Sequence, residues 1–164
     1  MIDKFHYLLV TLFGIGKISK IPGSIASLFT VCLLYFLFYY LEISPEFFLF
    51  FLALIFLISL YSINFYTRDK EVKDPKEIVI DEFIGQSIPI CLYEVAHSEL
   101  KETSEVLTFY FIFFVLFRIF DIVKPYPVSY YDKNFKNSFG VIMDDICAGL
   151  YVVAVLVLYM VATT

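Results

Sequence analysis

Charged residues are scarce in this sequence. They make up 18% of its 164 residues, whereas hydrophobic residues make up 60%. A soluble domain has about 25% charged and about 45–50% apolar residues. The shortage of charge therefore excludes an ordinary soluble fold and indicates an integral membrane protein.

Two further absences exclude other classes of protein. The net charge is −5 and no basic run is present, so we expect no nucleic-acid partner. The odd number and wide spacing of Cys32, Cys91 and Cys147 argue against a disulfide framework and a zinc site, and we interpret these cysteines as small packing residues. No linker, low-complexity tract or internal repeat interrupts the chain, so residues 1–164 are taken as a single domain.

Long apolar runs predict an all-α integral membrane bundle with about five membrane-embedded helices. About 20 apolar residues suffice to cross a bilayer core as a helix. The predicted spans are 25–41, 47–65, a third that begins at Pro75, 106–120, and a fifth from about 139–141 to 162. Ahead of them, apolar residues at helical spacing from Phe5 to Leu12 predict a short amphipathic helix, which either lies in the membrane interface or packs on the bundle.

Two prolines mark the predicted starts of helices. Ser44 before Pro45 has the pattern of an N-cap followed by the first helical residue. Asp74, Pro75 and Glu77 resemble a capping box, which would place Asp81 and Glu82 in the second turn of the third helix. Gly85 lies one turn further on the same face and would let another helix approach closely.

The distribution of basic residues predicts the orientation. Five crossings with the N-terminus inside place eleven of the twelve basic residues in the cytoplasm and leave Lys101 outside. The same orientation brings the ionisable residues at three helix ends to one membrane depth: Asp81, Glu82, Arg118, Asp121, Lys124, Asp144 and Asp145. The glycine-containing loop 14–23, with Lys17 and Lys20, falls on the same side, where its backbone N–H groups could cradle a phosphate.

Such a cluster of carboxylates would repel itself unless cations shared it. Carboxylate oxygens suit Mg²⁺, which binds through a few carboxylates together with water and substrate phosphate. Basic side chains in the same place would neutralise phosphate oxygens. The sequence therefore predicts a phosphoryl-transfer site at the membrane surface, with a lipid substrate whose phosphate lies at headgroup level.

Three segments carry a resemblance to a known family. They are Asp81-Glu-Phe-Ile-Gly85, Phe117-Arg-Ile-Phe-Asp-Ile-Val-Lys-Pro-Tyr-Pro127, and Gly140-Val-Ile-Met-Asp-Asp-Ile-Cys-Ala-Gly149, with Asp132 between the last two. Together with Pro22-Gly23 they resemble the phosphatidylglycerophosphatase A family. The resemblance implies a Mg²⁺-dependent membrane phosphatase that converts phosphatidylglycerophosphate to phosphatidylglycerol and phosphate.

We assign the roles within this site as hypotheses. The expected catalytic residues are Asp81, Glu82, Asp121, Asp144 and Asp145. Four of these, Asp81, Glu82, Asp144 and Asp145, are expected to ligate the metal. The expected substrate contacts are Arg118, Lys124, Lys17 and Asp132. The enzyme would lie in the cytoplasmic (inner) membrane with its N-terminus and active site facing the cytoplasm.

Two other functions remain open at this point. A carboxylate-lined cation channel or carrier would also need buried acids, although it would spread them along a path through the membrane. A CDP-alcohol phosphatidyltransferase would also use carboxylates and Mg²⁺. Its glycine-spaced aspartate series is absent, because Asp144-Asp145 has no matching pair a few residues later.

Overall fold

The structure is a computed structural model that describes residues 2–70, 75–97 and 102–163. In these ranges the chain forms seven α-helices and one 3₁₀ turn, Ile15–Lys17. The helices are α1 (Ile2–Val10), α2 (Pro22–Tyr39), α3 (Pro45–Thr67), α4 (Ile80–Ala96), α5 (Thr103–Val123), α6 (Val128–Asn134) and α7 (Ser138–Thr163). The predicted all-helical membrane bundle is confirmed.

Four of the helices have the length and apolar composition needed to cross a membrane. They are α2, α3, α5 and the Ser138–Ala162 part of α7. Large apolar side chains such as Phe50, Phe111 and Leu158 are exposed on them, as expected where the surroundings are lipid. The third predicted span, α4, has only 17 residues, so the expected number of five is approximate.

Helix α4 is the centre of the bundle. It packs against α2, α3, α5 and most extensively α7. Buried residues continue along its whole length, from Ile80 to Glu94. A helix surrounded in this way holds its polar side chains in fixed positions, because its neighbours leave little room for movement.

Two glycines allow α4 and α7 to approach closely. A Cβ atom built on Gly149 would lie 2.4 Å from the carbonyl oxygen of Gly85. One built on Gly85 would lie 2.6 Å from the carbonyl oxygen of Asp145. The close approach predicted at Gly85 is therefore observed, and it brings the first turn of α4 next to Asp145.

Of the two predicted helix starts, the one at Ser44 is confirmed and the one at Pro75 is wrong. Ser44 caps α3 as expected, since its Oγ accepts a hydrogen bond from Phe47 N at 3.3 Å. The predicted start at Pro75 is wrong, because α4 begins at Ile80. Glu77 accepts hydrogen bonds from Lys70 Nζ and Tyr66 Oη instead, each at 2.8 Å. Asp74, the other half of the expected capping box, lies outside the described residues.

The N-terminal helix packs on the bundle, the second of its two predicted placements. It lies against α3, where Nδ1 of buried His6 is 2.9 Å from Ser62 Oγ. Val79 N donates to Val10 O at 2.9 Å, which ties the end of α1 to the residue before α4.

The cysteines fit their predicted packing role only in part. Cys91 and Cys147 are buried, as expected of small packing residues, whereas Cys32 is exposed on α2. The residues Lys124-Pro-Tyr-Pro127 cannot continue a helix and predict a turn along the surface, whereas the structure has the short helix α6 directly after them.

Candidate active site

A cavity of about 390 Å³ opens at the end of the bundle where α2, α4 and α7 begin and α5 ends. All seven charged residues predicted at these helix ends line it: Asp81, Glu82, Arg118, Asp121, Lys124, Asp144 and Asp145. Residues more than 60 positions apart in sequence therefore meet in one place, as the predicted topology requires.

Three carboxylates lie within ligand distance of a shared ion. Asp81, Glu82 and Asp145 each offer an oxygen, and these oxygens lie within 4.8 Å of one another. The side chains of Asp81 and Asp145 are buried. In the part of the chain that the structure describes, Oε2 of Glu82 is buried without a hydrogen-bond partner. We call these three residues the carboxylate trio.

The donor set of the trio fits Mg²⁺. Three acidic groups packed together out of water repel one another strongly unless a cation or protons neutralise them. Mg²⁺ takes oxygen ligands and usually combines one or two carboxylates with water and phosphate. Oε2 of Glu82, which no donor among the described residues occupies, is available as a ligand atom.

Asp144, the fourth predicted ligand, lies outside the trio. Its Oδ2 accepts a hydrogen bond from Lys124 Nζ at 2.8 Å, and its Oδ1 accepts one from the backbone N–H of Asp145 at 3.1 Å. Both oxygens are therefore used within the protein. The structure thus brings three of the four predicted ligands together and places the fourth in the cavity wall beside Lys124.

Lys124 joins three segments at the edge of the cavity. It ends α5 in the left-handed conformation, with φ of 48°. Its Nζ donates to Asp132 Oδ1 at 2.6 Å as well as to Asp144 Oδ2. Partial burial alone would lower the pKa of Lys124, but the two carboxylates outweigh burial and raise it. The amine therefore stays positively charged at neutral pH.

Asp132 is held by the same amine. Its pKa is lowered, chiefly because Lys124 donates a hydrogen bond to the carboxylate. Asp132 does not belong to the carboxylate trio, and its predicted contact with substrate would act through Lys124.

Arg118 and Asp121 face the cavity as an ion pair from adjacent turns of α5. Arg118 Nη1 lies 2.9 Å from Asp121 Oδ2, and both side chains are largely buried. Among the described residues, Arg118 Nε is buried with no hydrogen-bond partner. A buried guanidinium N–H without an acceptor favours an anion at this place.

The start of α2 closes the cavity from the other side. A Cβ atom on Gly23 would lie 2.1 Å from Glu82 Oε1 and 3.2 Å from Arg118 Nη1. Glycine therefore leaves the room that the side chain of Glu82 occupies. Pro22, the first residue of α2, also lines the cavity.

Lys17 is the one predicted site residue that lies away from these contacts. It lines a neighbouring groove, and its Nζ lies 4.9 Å from the ring centroid of Tyr7.

Two lysines that were not predicted as site residues, Lys20 and Lys76, line the cavity itself. The charge of Lys20 in the loop 14–23 was a signal for it, whereas nothing in the sequence singled out Lys76.

Apolar residues stand at the rim of the cavity. Ile21 and Ile122 line it, and they are 62% and 71% exposed. They lie next to the ends of α2 and α5, both of which are membrane-spanning candidates. The cavity therefore combines a charged interior with a lipid-compatible edge.

A family model and two relatives that align over most of the chain carry the same family name. The sequence model of the family described as Phosphatidylglycerophosphatase A matches residues 8–160. Phosphatidylglycerophosphatase A of Haemophilus influenzae is 36% identical over 155 residues, which cover 94% of this chain and 88% of that protein. The Escherichia coli protein of the same name is 30% identical over 152 residues, covering 92% and 80%.

A further relative shares only part of the chain. A putative phosphatidylinositol-3-phosphatase of Bacteroides thetaiotaomicron is 39% identical over 79 residues, 48% of this chain and 45% of that protein. No solved structure matches the chain. The family match and the two long alignments cover all the residues that line the charged cavity. The chain therefore belongs to the phosphatidylglycerophosphatase A family.

Proposed function

We propose that the chain removes the terminal phosphate of phosphatidylglycerophosphate with the help of Mg²⁺, at the cytoplasmic face of the inner membrane. Its family membership makes it a phosphatidylglycerophosphatase and disfavours the channel and phosphatidyltransferase alternatives. The observation that supports the metal and the residue roles is the carboxylate trio in a cavity that also contains Arg118 and Lys124.

Asp81, Glu82 and Asp145 would hold the metal. When bound, Mg²⁺ neutralises phosphate charge and polarises the bond that breaks. The protein's part is to fix the three carboxylates, which the close contact between α4 and α7 does through Gly85 and Gly149.

Arg118 and Lys124 would hold the phosphate that leaves. Lys124 has three N–H donors and uses two of them on Asp132 and Asp144, so one remains for a phosphate oxygen. Arg118 keeps its Nε donor and is oriented by Asp121. Fixed donors of this kind act most strongly on the charge that develops during the reaction.

Hydrolysis of the monoester moves two protons. Water loses a proton as it attacks phosphorus, the bond between phosphorus and the glycerol oxygen breaks, and that oxygen gains a proton. The carboxyl groups of the cavity would accept the proton from water and donate the proton to the glycerol oxygen. Asp121 and Asp144 lie outside the trio and line the same cavity, so they are our candidates for this role.

The substrate itself carries two phosphates. Phosphatidylglycerophosphate has a phosphodiester, which joins the glycerol headgroup to the lipid, and a terminal phosphomonoester, which is removed. The carboxylate trio and the two cations would act on the monoester, while the acyl chains would stay in the surrounding bilayer.

The test is phosphate release from phosphatidylglycerophosphate by detergent-purified protein, with Mg²⁺ and with excess EDTA. We expect release with Mg²⁺, loss of release in EDTA, and recovery when Mg²⁺ is returned. Full activity in EDTA would refute the metal. Folded protein that releases no phosphate in either condition would refute the substrate.

The proposed orientation rests on the excess of basic residues at the active-site end. Exposed Lys133 lies in α6 at that end, and a Lys133→Cys variant, made with Cys32 replaced by Ala, carries one exposed thiol among the described residues. An impermeant maleimide should label it in inside-out inner-membrane vesicles and leave it unlabelled in spheroplasts. The reverse pattern would overturn the orientation.

A further inference from the structure

A second groove adjoins the charged cavity. It has a volume of about 490 Å³ and is lined by the glycine-containing loop and the segment before α4: Gly16, Lys17, Ser19, Lys20, Pro22, Lys76 and Glu77. Lys20, Pro22 and Lys76 line both spaces. The groove and the cavity are therefore neighbours that share one wall.

The walls of this groove are packed against each other. A Cβ atom on Gly16 would lie 2.1 Å from the carbonyl oxygen of Glu77, so the loop and the segment before α4 touch through their backbones. The hydrogen bond from Val79 N to Val10 O fixes the same two segments slightly further along. Lys17 and Lys76 are thus held on opposite sides of a close contact.

Among the described residues, the lysines of the groove lack the close carboxylate partners that the cations of the cavity have. Within residues 2–70, 75–97 and 102–163, Lys17, Lys20 and Lys76 make no ion pair with a carboxylate. The one acidic group of the groove, Glu77, already binds Lys70 Nζ and Tyr66 Oη. By contrast, Arg118 and Lys124 in the cavity are paired with Asp121, Asp132 and Asp144.

We propose that this groove is a second phosphate subsite, in which Lys20 and Lys76 bind the phosphodiester of the lipid substrate while its monoester occupies the carboxylate cavity. The proposal rests on the proposed function, since it needs a substrate that carries a phosphodiester beside the phosphate to be removed. A phosphodiester is a monoanion that needs no metal, and exposed amines bind such a group as point charges. Lys17, at the far side of the groove, adds to the attraction.

The subsite would make the enzyme selective for doubly phosphorylated lipids. Lysines that contact the diester stabilise the bound substrate and the transition state equally, because the diester does not change in the reaction. Loss of such uniform binding raises KM and leaves kcat unaltered. Inorganic phosphate, which has no diester, would bind in the carboxylate cavity without using the groove.

The test compares a Lys20→Gln/Lys76→Gln variant with the unaltered protein in neutral detergent micelles. We expect KM for phosphatidylglycerophosphate to rise about tenfold with kcat unchanged, as expected for the loss of charge-assisted contacts. Because Lys20 and Lys76 also line the cavity, the inhibition constant of inorganic phosphate should rise less than KM. A Lys17→Gln variant, whose lysine lines the groove alone, should raise KM and leave that inhibition constant unchanged. A Lys4→Gln/Lys133→Gln variant removes the same charge at exposed positions outside both spaces and should behave as the unaltered protein.

Each other outcome overturns the proposal in a recognisable way. An unchanged KM shows that the groove does not bind the diester, and an equal rise in the inhibition constant of phosphate shows that the lysines hold the monoester. An effect that appears only in vesicles rich in anionic lipid shows that they bind neighbouring headgroups. If the unaltered protein releases no phosphate from the lipid, the proposed function itself has failed, which the first measurement shows before any variant is compared.

Discussion

The backbone of Gly85 in α4 touches Gly149 in α7, so closely that a Cβ on Gly149 would lie 2.4 Å from the Gly85 carbonyl oxygen. Each glycine lies one helical turn beyond a carboxylate of the trio, Gly85 after Asp81 and Gly149 after Asp145. The distance between the two helices and the distance between the carboxylates are therefore set by the same contact.

Gly149→Ala should weaken both the fold and the activity. A methyl group at this position must push α7 away from α4, and extra carbon in a packed interior costs about 1–3 kcal/mol. We expect a lower melting temperature in detergent and a fall in kcat. Ala154→Val adds carbon at an exposed position of the same helix and should change neither. A Gly149→Ala protein with unaltered kcat would show that the spacing is not critical.

Gly23→Ala should affect activity more than stability. The new methyl group would occupy the place of Glu82 Oε1, which lies 2.1 Å from the built Cβ. The side chain of Glu82 must move away from Asp81 and Asp145, so we expect the Mg²⁺ concentration for half-maximal activity to rise. Cys32→Ala, a small change at an exposed site of the same helix, is the control. Unchanged metal dependence would contradict the role of Gly23.

Asp145→Asn should remove activity and leave a folded protein in the membrane. The amide keeps the shape of the side chain but cannot supply a charged oxygen to the trio. Loss of one preorganised charged group costs at least about a hundredfold in kcat. The melting temperature without Mg²⁺ should be equal to or above that of the unaltered protein, because one of three packed negative charges is gone. Normal turnover would refute the site.

The contact between Lys124 and Asp132 should appear in the pH dependence of stability. The pKa of Asp132 is lowered in the folded protein, below the value of about 3.9 expected in the unfolded chain. A lowered pKa gives stability that is fully present above the unfolded value and is lost as the pH falls through the folded value. The contribution is therefore complete at neutral pH.

Asp132→Asn removes this contribution. The difference in melting temperature from the unaltered protein should be constant between about pH 7 and pH 5, and it should shrink below about pH 4. Asp69→Asn, a change at a side chain that is 85% exposed, controls for the loss of one charge. A difference that grows as the pH falls would contradict the ion pair.

The opposite end of α4 should matter for stability alone. Buried Glu94 accepts hydrogen bonds from Tyr110 Oη at 2.9 Å and from Tyr39 Oη at 3.1 Å, which joins α4 to α5 and α2. Tyr110→Phe removes one donor from a buried carboxylate and should cost about 1–3 kcal/mol of stability. Turnover at the far cavity should be unaltered, and the exposed Tyr61→Phe should be silent in both measurements. A specific loss of kcat in Tyr110→Phe would contradict this separation.

The long helices and the meeting of their ends could be predicted from the sequence, because a membrane requires long apolar helices and places each connecting loop on one of two sides. The apolar runs predicted the four long helices to within a few residues. The predicted membrane side of each loop placed the acidic residues of three helix ends on the same side, where the structure has them in one cavity. The start of α4 was missed because Glu77 is used by Lys70 and Tyr66, a contact between segments that local capping rules do not contain.

The division of labour among the acids could not be predicted either. Adjacent residues on a helix point about 100° apart, so Asp144 and Asp145 cannot both face α4. Which of the two does so depends on the rotation of α7, and that rotation is fixed by the contact at Gly149. Lys17 was predicted as a substrate contact from its charge and its loop, and the structure places it at the end of the 3₁₀ turn, in the neighbouring groove.

The exposed isoleucines at the rim of the cavity bear on how the enzyme meets its substrate. Ile21 and Ile122 form an apolar rim beside the charged interior, at the ends of helices that have the length and composition to cross the bilayer. A lipid can slide sideways across such a rim and present its headgroup without leaving its leaflet. The relevant concentration is then the number of substrate molecules per unit of membrane area. Diluting the substrate with inert lipid should slow the enzyme, whereas adding more water should not.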